Sequence, residues 1–168
     1  METARFKIVD ADPLHMREVC DIYNQAVRET VAIWTDVETT TELRRDWLMA
    51  RRAASFPVLV AIDTIGAVLG YGSFGVFRDS PGYSQTVEHS VYVAPSAQRQ
   101  GVGRALLSAL IDKARVRNLE TMVGGIDSSN AASIALHESF GFERQGELKR
   151  VGRKFGQRLD LVFMVKSL

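Results

Sequence analysis

Glu88 is the first candidate for acid–base chemistry, because it lies in an otherwise apolar strand pattern at residues 87–93. Strand alternation places Glu88, Ser90 and Tyr92 on one face, so Glu88 and Tyr92 share one groove. A buried acid needs a physical reason, and desolvation raises its pKa and suits it to general-base work. The alternative interpretation is an ordinary carboxylate on an edge strand.

A glycine-containing turn follows this strand. It runs from Gln98 to Gly103, includes Gly101, and precedes a helix that we expect to begin near Arg104. Glycines so spaced let the backbone approach a bulky anion and direct several N–H groups at it, and the helix adds its positive dipole end. The pattern favours a phosphate-binding turn, although many connections between strands and helices use glycine without binding anything.

The histidines allow more than one interpretation. His137 lies seven residues after Asn130, two turns along one helical face, so the two side chains can line an elongated ligand or serve packing alone. His89 is either a core imidazole or a group that orients a substrate, and His15 is expected at the surface. Three scattered histidines and one cysteine give no ligand spacing, so we expect no metal.

The composition limits the classes of partner. The chain has 21 Lys and Arg against 20 Asp and Glu and shows no basic stripe for binding nucleic acid. Its 168 residues have the length of one domain, which we expect to span residues 1–168. The single cysteine, Cys20, fits a reducing compartment. Because we find neither a leader pattern nor an apolar run of about 18 residues, we expect a cytoplasmic protein that does not associate with membranes.

The periodicity of the chain predicts an α/β fold with a mixed central β-sheet and helices on both faces, in the order β-α-α-β-β-β-α-β-α-β-β. Asp12 and Pro13 are expected to open the first helix, and Thr39 with Glu42 to cap the second. The arginines of the second helix are expected on its solvated face. They are Arg44, Arg45, Arg51 and Arg52.

Residues 29–38 break the helical period and include two large apolar side chains, Ile33 and Trp34. A loop of this kind usually packs over something. It is therefore either a lid over a ligand or a plug in the core.

Several motifs together resemble the GNAT superfamily of N-acetyltransferases. Its acetyl-CoA signature is similar to Gln98-x-x-Gly101-x-Gly103 followed by Asn130-x-x-Ser133-x-x-Leu136-His137. More narrowly, the chain resembles the phosphinothricin and methionine sulfoximine/sulfone N-acetyltransferase branch at residues 23–27, 32–34, 88–93, 130–142 and 151–164. The resemblance implies the GNAT fold, acetyl-CoA as co-substrate without a metal, a small amino-acid-like acceptor, and a homodimer.

The resemblance also implies residue roles on the acetyl-CoA side. The backbone of strand residues would pair with the pantetheine arm and polarise the thioester carbonyl; these are Val91, Tyr92 and Val93. The turn would wrap the pyrophosphate through Arg99, Gln100, Gly101, Val102, Gly103 and Arg104. Helix residues would contact the rest of the molecule; these are Asn130, Ser133 and, more weakly, Ser139.

The remaining implied roles concern chemistry and the acceptor. Glu88 would take a proton from the substrate ammonium, directly or through water. His137 occupies the position where many relatives have a tyrosine that protonates the leaving thiolate, so the acid is either His137 or a water. The acceptor would be held by Arg78, Asp79, Ser80, Glu88, His89 and Ser90, with the Arg78 guanidinium suited to its carboxylate.

The leading functional hypothesis is acetyl transfer from acetyl-CoA to the α-amino group of a small amino-acid analogue. A first alternative is acetylation of protein or peptide amines, which would favour an open groove. A second is a non-catalytic CoA-binding regulator, which would need neither a base at Glu88 nor an acid at His137.

Overall fold

A seven-stranded sheet forms the frame of the protein, whose computed structural model describes residues 5–168. The elements follow the predicted order, which confirms the predicted mixed α/β class. They are β1 (Phe6–Asp10), α1 (Met16–Glu29), α2 (Thr41–Ala53), β2 (Val58–Asp63), β3 (Val68–Val76), β4 (Thr86–Val93), α3 (Val102–Val116), β5 (Thr121–Asp127), α4 (Ala131–Glu138), β6 (Glu143–Lys154) and β7 (Gln157–Ser167).

The sheet splits at its centre. Its strand order is β1-β2-β3-β4-β5-β7-β6, and β4 and β5 form its parallel pair. That pairing ends at Glu88 and Val123, although β4 stays paired with β3 as far as Val93 and β5 stays paired with β7 as far as Asp127. Beyond Glu88 the two central strands therefore have no ladder between them.

The helices cover both faces of the sheet. On one face, α3 and α4 pack over a core that includes Phe74 and Val91. On the other face, α1 and α2 pack over a core that includes Tyr71 and Tyr92. Neighbouring residues of β4 thus point to opposite cores, as the strand alternation predicts.

Local capping agrees with the sequence at one helix and departs from it at another. Asp12 accepts a hydrogen bond from the Leu14 N–H, and a short 3-10 turn leads into α1. The predicted Thr39 cap of α2 is wrong, because Thr40 caps that helix. The polar main-chain groups of Thr39 instead bond the Asn24 amide, at 2.8 and 2.9 Å.

The prediction of a solvated arginine face on α2 is wrong for half of its members. The Arg44 guanidinium lies over the Tyr23 ring, with its carbon 4.7 Å from the ring centroid. Arg51 donates to the Phe74 carbonyl at 3.3 Å. Both side chains are half-buried, whereas Arg45 and Arg52 are exposed.

No helix within residues 5–168 combines the length and the apolar character that crossing a membrane requires.

Candidate active site

A cleft of about 660 Å³ occupies the split between β4 and β5. Its walls are the end of β4, the turn before α3, the end of β5 and the first turns of α4. Because β4 loses its partner after Glu88, main-chain groups of residues 90–93 that face β5 have no strand to pair with. An extended ligand that carries amide groups can pair with such an open strand edge.

The turn before α3 has the backbone geometry of a phosphate cradle. Arg99 and Gly101 both have positive φ, 59° and 85°. Gly101 occupies the N-cap position of α3 without a side-chain cap, so the first-turn N–H groups have no acceptor inside the helix. These groups and the helix dipole favour an anion. Position 101 needs glycine for its φ, whereas a Cβ at Gly103 would make only ordinary contacts of 3.6 Å.

Most of the residues implied for acetyl-CoA come together in this cleft. They are Val91, Tyr92, Val93, Arg99, Gly101, Val102, Gly103, Arg104, Asn130 and Ser133. The structure does not bring Gln100 or Ser139 into its lining. The Gln100 amide donates to the Ser96 carbonyl at 2.9 Å, and the Ser139 hydroxyl donates to the Leu136 carbonyl at 2.6 Å.

Glu88 lies where the pairing of β4 with β5 ends, a point that we call the apex of the split, and on the sheet face that α1 and α2 cover. Its carboxylate packs on Gly125, where an added Cβ would meet Oε1 at 3.1 Å. Burial raises the pKa of Glu88, and the positive charge of Arg78 partly opposes that rise. The site therefore holds a half-buried carboxyl group whose basicity is greater than that of an exposed glutamate.

His89 and His137 form a buried pair at the same apex on the opposite face. Their rings stack with centroids 5.0 Å apart, and the two Nε2 atoms are 3.0 Å apart. Phe142 packs edge-on against both rings. Gly124 of β5 leaves room for the pair, since an added Cβ would lie 3.0 Å from His89 Nε2 and 3.2 Å from His137 Nε2.

The hydrogen bonds assign the protons of this pair. His137 Nδ1 lies 2.6 Å from the Ser133 carbonyl oxygen, which only accepts, so Nδ1 carries the proton. His137 Nε2 then accepts from the His89 Nε2–H, which leaves His89 Nδ1 as a buried acceptor without a partner among the described residues. Burial lowers the pKa of both rings, that of His89 to about 3, so the pair is neutral at pH 7.

The residues implied for the acceptor do not all meet. Arg78 is exposed after β3, with its guanidinium 4.3 Å from the Phe77 ring centroid, yet close enough to Glu88 for its charge to lower that pKa. Ser90 shares the Glu88 face of β4. Asp79 and Ser80 are exposed, and they line neither this cleft nor the cavity described next. Arg78 and Glu88 also lie outside both linings, whereas His89 and Ser90 line the cleft. His89 lies on the face opposite Glu88.

A second cavity of about 530 Å³ adjoins the cleft on the α1 side of the sheet. The end of α1, residues 30–32 and Phe155 line one side of it. Six residues line both spaces, namely Ala32, Val91, Tyr92, Val93, Gln98 and Asn130. The sequence predicts that residues 29–38 form a lid over a ligand or a plug in the core. Residues 30–32 line the cavity, while Trp34 lies against Gly152 of β6 and its Nε1–H donates to the Val31 carbonyl at 2.9 Å.

The sequence analysis does not predict two further features of the site. Gly124 and Gly125 pack directly against the histidine pair and Glu88. Consecutive glycines inside a buried strand are a signal of close approach that could have identified them. The second feature is Lys154, which bonds the carbonyls of Thr30 and Ile33. Nothing in the sequence around Lys154 indicates this contact. No group of three or more potential metal ligands occurs in the part of the chain that the structure describes.

Comparison with known proteins adds independent findings. A family model described as the acetyltransferase (GNAT) family matches residues 18–142. The chain is 49% identical over 158 residues to the L-methionine sulfoximine/L-methionine sulfone acetyltransferase of Salmonella typhimurium, covering 94% of this chain and 92% of that protein. It is 36% identical over 155 residues to the phosphinothricin N-acetyltransferase of Streptomyces coelicolor, covering 91% of each.

Solved structures of acetyltransferases are similar to nearly the whole chain. An acetyltransferase from Salmonella typhimurium with its cofactor acetyl-CoA has a TM-score of 0.95 at 47% identity, covering 98% of this chain and 94% of that one. A ribosomal-protein-alanine N-acetyltransferase from Brucella melitensis has a TM-score of 0.94 at 48% identity, covering 96% of this chain and 99% of that one.

Proposed function

The chain belongs to the acetyltransferase (GNAT) family, and we propose that it transfers the acetyl group of acetyl-CoA to the α-amino group of methionine sulfoximine, methionine sulfone or a similar small amino acid such as phosphinothricin. The observation that carries the proposal is the split in the sheet. The split leaves an open strand edge that begins after Glu88 and shares one cleft with the turn before α3, which supports a cofactor site on one face and a base at Glu88 on the adjoining face.

The residues of the cleft fit acetyl-CoA, which supplies an acetyl group activated as a thioester. We propose that main-chain groups of residues 91–93 pair with the pantetheine amides. The first-turn N–H groups of α3 and the Arg99 and Arg104 side chains would hold the pyrophosphate. Asn130 would contact the arm, although its side-chain oxygen also caps α4 by accepting from the Ser133 N–H at 3.1 Å.

Glu88 is our proposed general base. The α-amino group of a free amino acid is mostly protonated at pH 7, so one proton must leave before its nitrogen can attack the thioester carbonyl. The raised pKa of Glu88 suits it to accept that proton, directly or through water. The C–N bond then forms as the C–S bond breaks, and the thiolate leaves. The nitrogen releases a second proton to solvent in this step, which balances the proton that the thiolate takes up.

The leaving thiolate needs a proton, for which the sequence left His137 and water as candidates. In the assigned arrangement the Nδ1 proton of His137 is held by the Ser133 carbonyl, and its Nε2 carries no proton to give. These hydrogen bonds favour a water as the acid. His137 would then serve as a fixed wall of the cleft.

The acceptor is a zwitterion, so its site needs a cation for the carboxylate as well as a base for the amine. We propose that Arg78 supplies the cation and that Ser90, on the Glu88 face, contributes a hydroxyl group. The second cavity, lined by Tyr92 and residues 30–32, would take the side chain of the amino acid.

A second candidate acceptor is a protein N-terminal amine, which the likeness to the Brucella melitensis structure favours. The attachment of residues 30–34 to β6 argues for a small-molecule acceptor. Residues 30–32 form a wall of the second cavity, and that wall would block a longer peptide. A non-catalytic regulator is disfavoured, because pure binding requires no carboxyl of raised pKa at the apex of the cleft.

We further propose that residues 1–168 act as one domain, in a homodimer, in the cytoplasm. The sheet joins elements from both ends of the described chain, from β1 to β7. Exposed apolar side chains on the edge strand β6, Leu148 and Val151, offer a surface for a second copy. Cys20 is buried and free, which fits a reducing compartment. Light scattering after size-exclusion chromatography would measure the oligomeric state.

An amine screen with acetyl-CoA, read by release of free thiol, tests the proposed function. Methionine sulfone, methionine sulfoximine and phosphinothricin should react, and simple alkylamines and lysine-containing peptides should react poorly. A peptide that begins with alanine tests the second candidate. Faster turnover of that peptide than of every free amino acid would overturn the proposed acceptor class.

A further inference from the structure

Lys154, the last residue of β6, is a buried cation in an unusual setting. The residue is 2% exposed, and its Nζ donates to the carbonyls of Thr30, at 2.7 Å, and Ile33, at 2.6 Å. The Phe155 ring centroid lies 4.9 Å from the same nitrogen. Within residues 5–168, no ion pair of Lys154 with a carboxylate occurs. Burial lowers the pKa of Lys154 and the negative charge of Asp36 partly opposes that change, so the buried ammonium group is compensated by its hydrogen bonds and by that charge.

The end of α1 explains why a cation is stable here. Thr30 is the C-cap of α1, and the last carbonyls of a helix lack intrahelical donors and carry its negative dipole end. The chain then bends so that the Ile33 carbonyl meets the same nitrogen. Two carbonyls three residues apart converge on one ammonium group, so that group holds the Thr30 and Ile33 carbonyls close together.

Trp34 continues this attachment through a second, independent contact. Its ring lies on Gly152 of β6, where an added Cβ would clash with the ring. The connection between α1 and α2 is therefore held to the β6 strand twice, by a lysine and by a ring that only glycine accommodates.

The attached segment is a wall of the second cavity. Residues 30–32 line that cavity, Phe155 lines it too, and Ala32 also lines the cleft between β4 and β5. We propose that Lys154 is a positioning residue for the amino-acid acceptor, whose ammonium group fixes residues 30–33 as the wall against which the acceptor is held. This inference rests on the proposed function, since it assigns the second cavity to the acceptor side chain.

Lys154→Met tests the inference, because methionine keeps most of the side-chain length and removes the donors. We expect the KM for methionine sulfone to rise by about 10- to 100-fold, the scale of a wall displaced by about 1 Å. The KM for acetyl-CoA should rise much less, because Ala32 alone among residues 30–33 also lines the cleft. Lys149→Met is the matched control. Lys149 is an exposed lysine of the same strand that pairs with Glu147 and Asp160, and its loss should leave both KM values unchanged.

Gly152→Ala provides a second route to the same result. It displaces the Trp34 ring while Lys154 stays in place, and should raise the KM for methionine sulfone in the same selective way. Circular dichroism establishes that each variant is folded. Equal rises in both KM values, or wild-type values in folded Lys154→Met and Gly152→Ala, would overturn the inference. Failure of the wild-type protein to acetylate any free amino acid would instead overturn the proposed function.

Discussion

Glu88 and His89 are consecutive residues at the apex of one split, yet the protein uses them in opposite ways. Glu88 is half-buried, lies within the influence of the positive charge of Arg78, and has a pKa that burial raises. His89 is 6% exposed, bonds only another imidazole and has a pKa lowered to about 3. Strand alternation sends one side chain toward the proposed acceptor face and the other toward the core under α4.

The comparison shows that burial acts on acids and bases in opposite directions. Desolvation disfavours the charged form of both groups, so it makes the carboxyl a better proton acceptor and the imidazole a poorer one. Activity should therefore depend on the titration of Glu88, and stability should depend on that of His89. Each of the following predictions tests one side of this division.

Glu88→Gln should have the largest effect. The amide keeps the shape and the hydrogen-bonding capacity of the side chain but cannot accept a proton, so kcat should fall by about 10²- to 10⁴-fold. Calorimetric affinity for acetyl-CoA should change little, because its binding residues lie beyond the apex. A rate within a few-fold of wild type at pH 7 would mean that the proton leaves by another route.

Arg78→Ala should have the next largest effect, confined to the acceptor. Loss of one charge-assisted contact weakens binding by about 1.5–3 kcal/mol, or about 10- to 100-fold, so the KM for methionine sulfone should rise by that factor. The KM for acetyl-CoA should stay near its original value. An alkylamine without a carboxylate serves as the control substrate. If its rate falls by the same factor, Arg78 supports the loop and does not bind the carboxylate.

His89→Phe should change the pH dependence of stability. Between pH 6.5 and about 3, the unfolded chain holds a proton at position 89 that the native chain does not. Stability therefore falls with decreasing pH in this window, by about 1.4 kcal/mol per pH unit from this group. Phenylalanine keeps a ring in the stack and does not titrate.

Urea denaturation of wild type and His89→Phe at pH 7 and pH 5 measures that slope. The wild type should lose about 2 kcal/mol more than the variant over this interval. The raised pKa of Glu88 contributes with the opposite sign in both proteins, so it cancels in the difference. Equal slopes would show that the native pair accepts a proton as readily as the unfolded chain.

The sequence predicted the parts of the site that are local. Glu88 and the glycine turn lie within residues 87–104, where alternation, glycine spacing and a helix start can be read from neighbouring residues. The order of elements was predictable for the same reason, since each rests on its own periodicity. The GNAT resemblance, carried by motifs spread along the chain, identified the family that the comparisons confirm.

The contacts that the sequence did not reveal join distant positions. His89 and His137 are 48 residues apart, and Lys154 bonds carbonyls 121 and 124 residues away. A lysine in a strand pattern indicates solvent exposure, and nothing near Lys154 in the sequence shows that a helix end lies above it. Arg44 was misassigned similarly, because the ring that it covers, Tyr23, belongs to a different helix.

The smallest predicted effect is a shift in the pH dependence of kcat/KM caused by Arg78→Ala. It tests whether the activity follows the titration of Glu88. Burial raises the pKa of Glu88 and the Arg78 charge lowers it, so removal of the guanidinium leaves burial unopposed and the pKa rises further. Glu88 is active when deprotonated. The acid limb of kcat/KM for methionine sulfone, which reports the free enzyme, should therefore move to higher pH in Arg78→Ala. Titration of the substrate amine is common to both proteins and cancels in the comparison, and Lys149→Met controls for loss of a surface cation. If the limb stayed in place in Arg78→Ala, or if the residual activity of Glu88→Gln retained the same limb, then Glu88 would not be the group whose titration limits the rate.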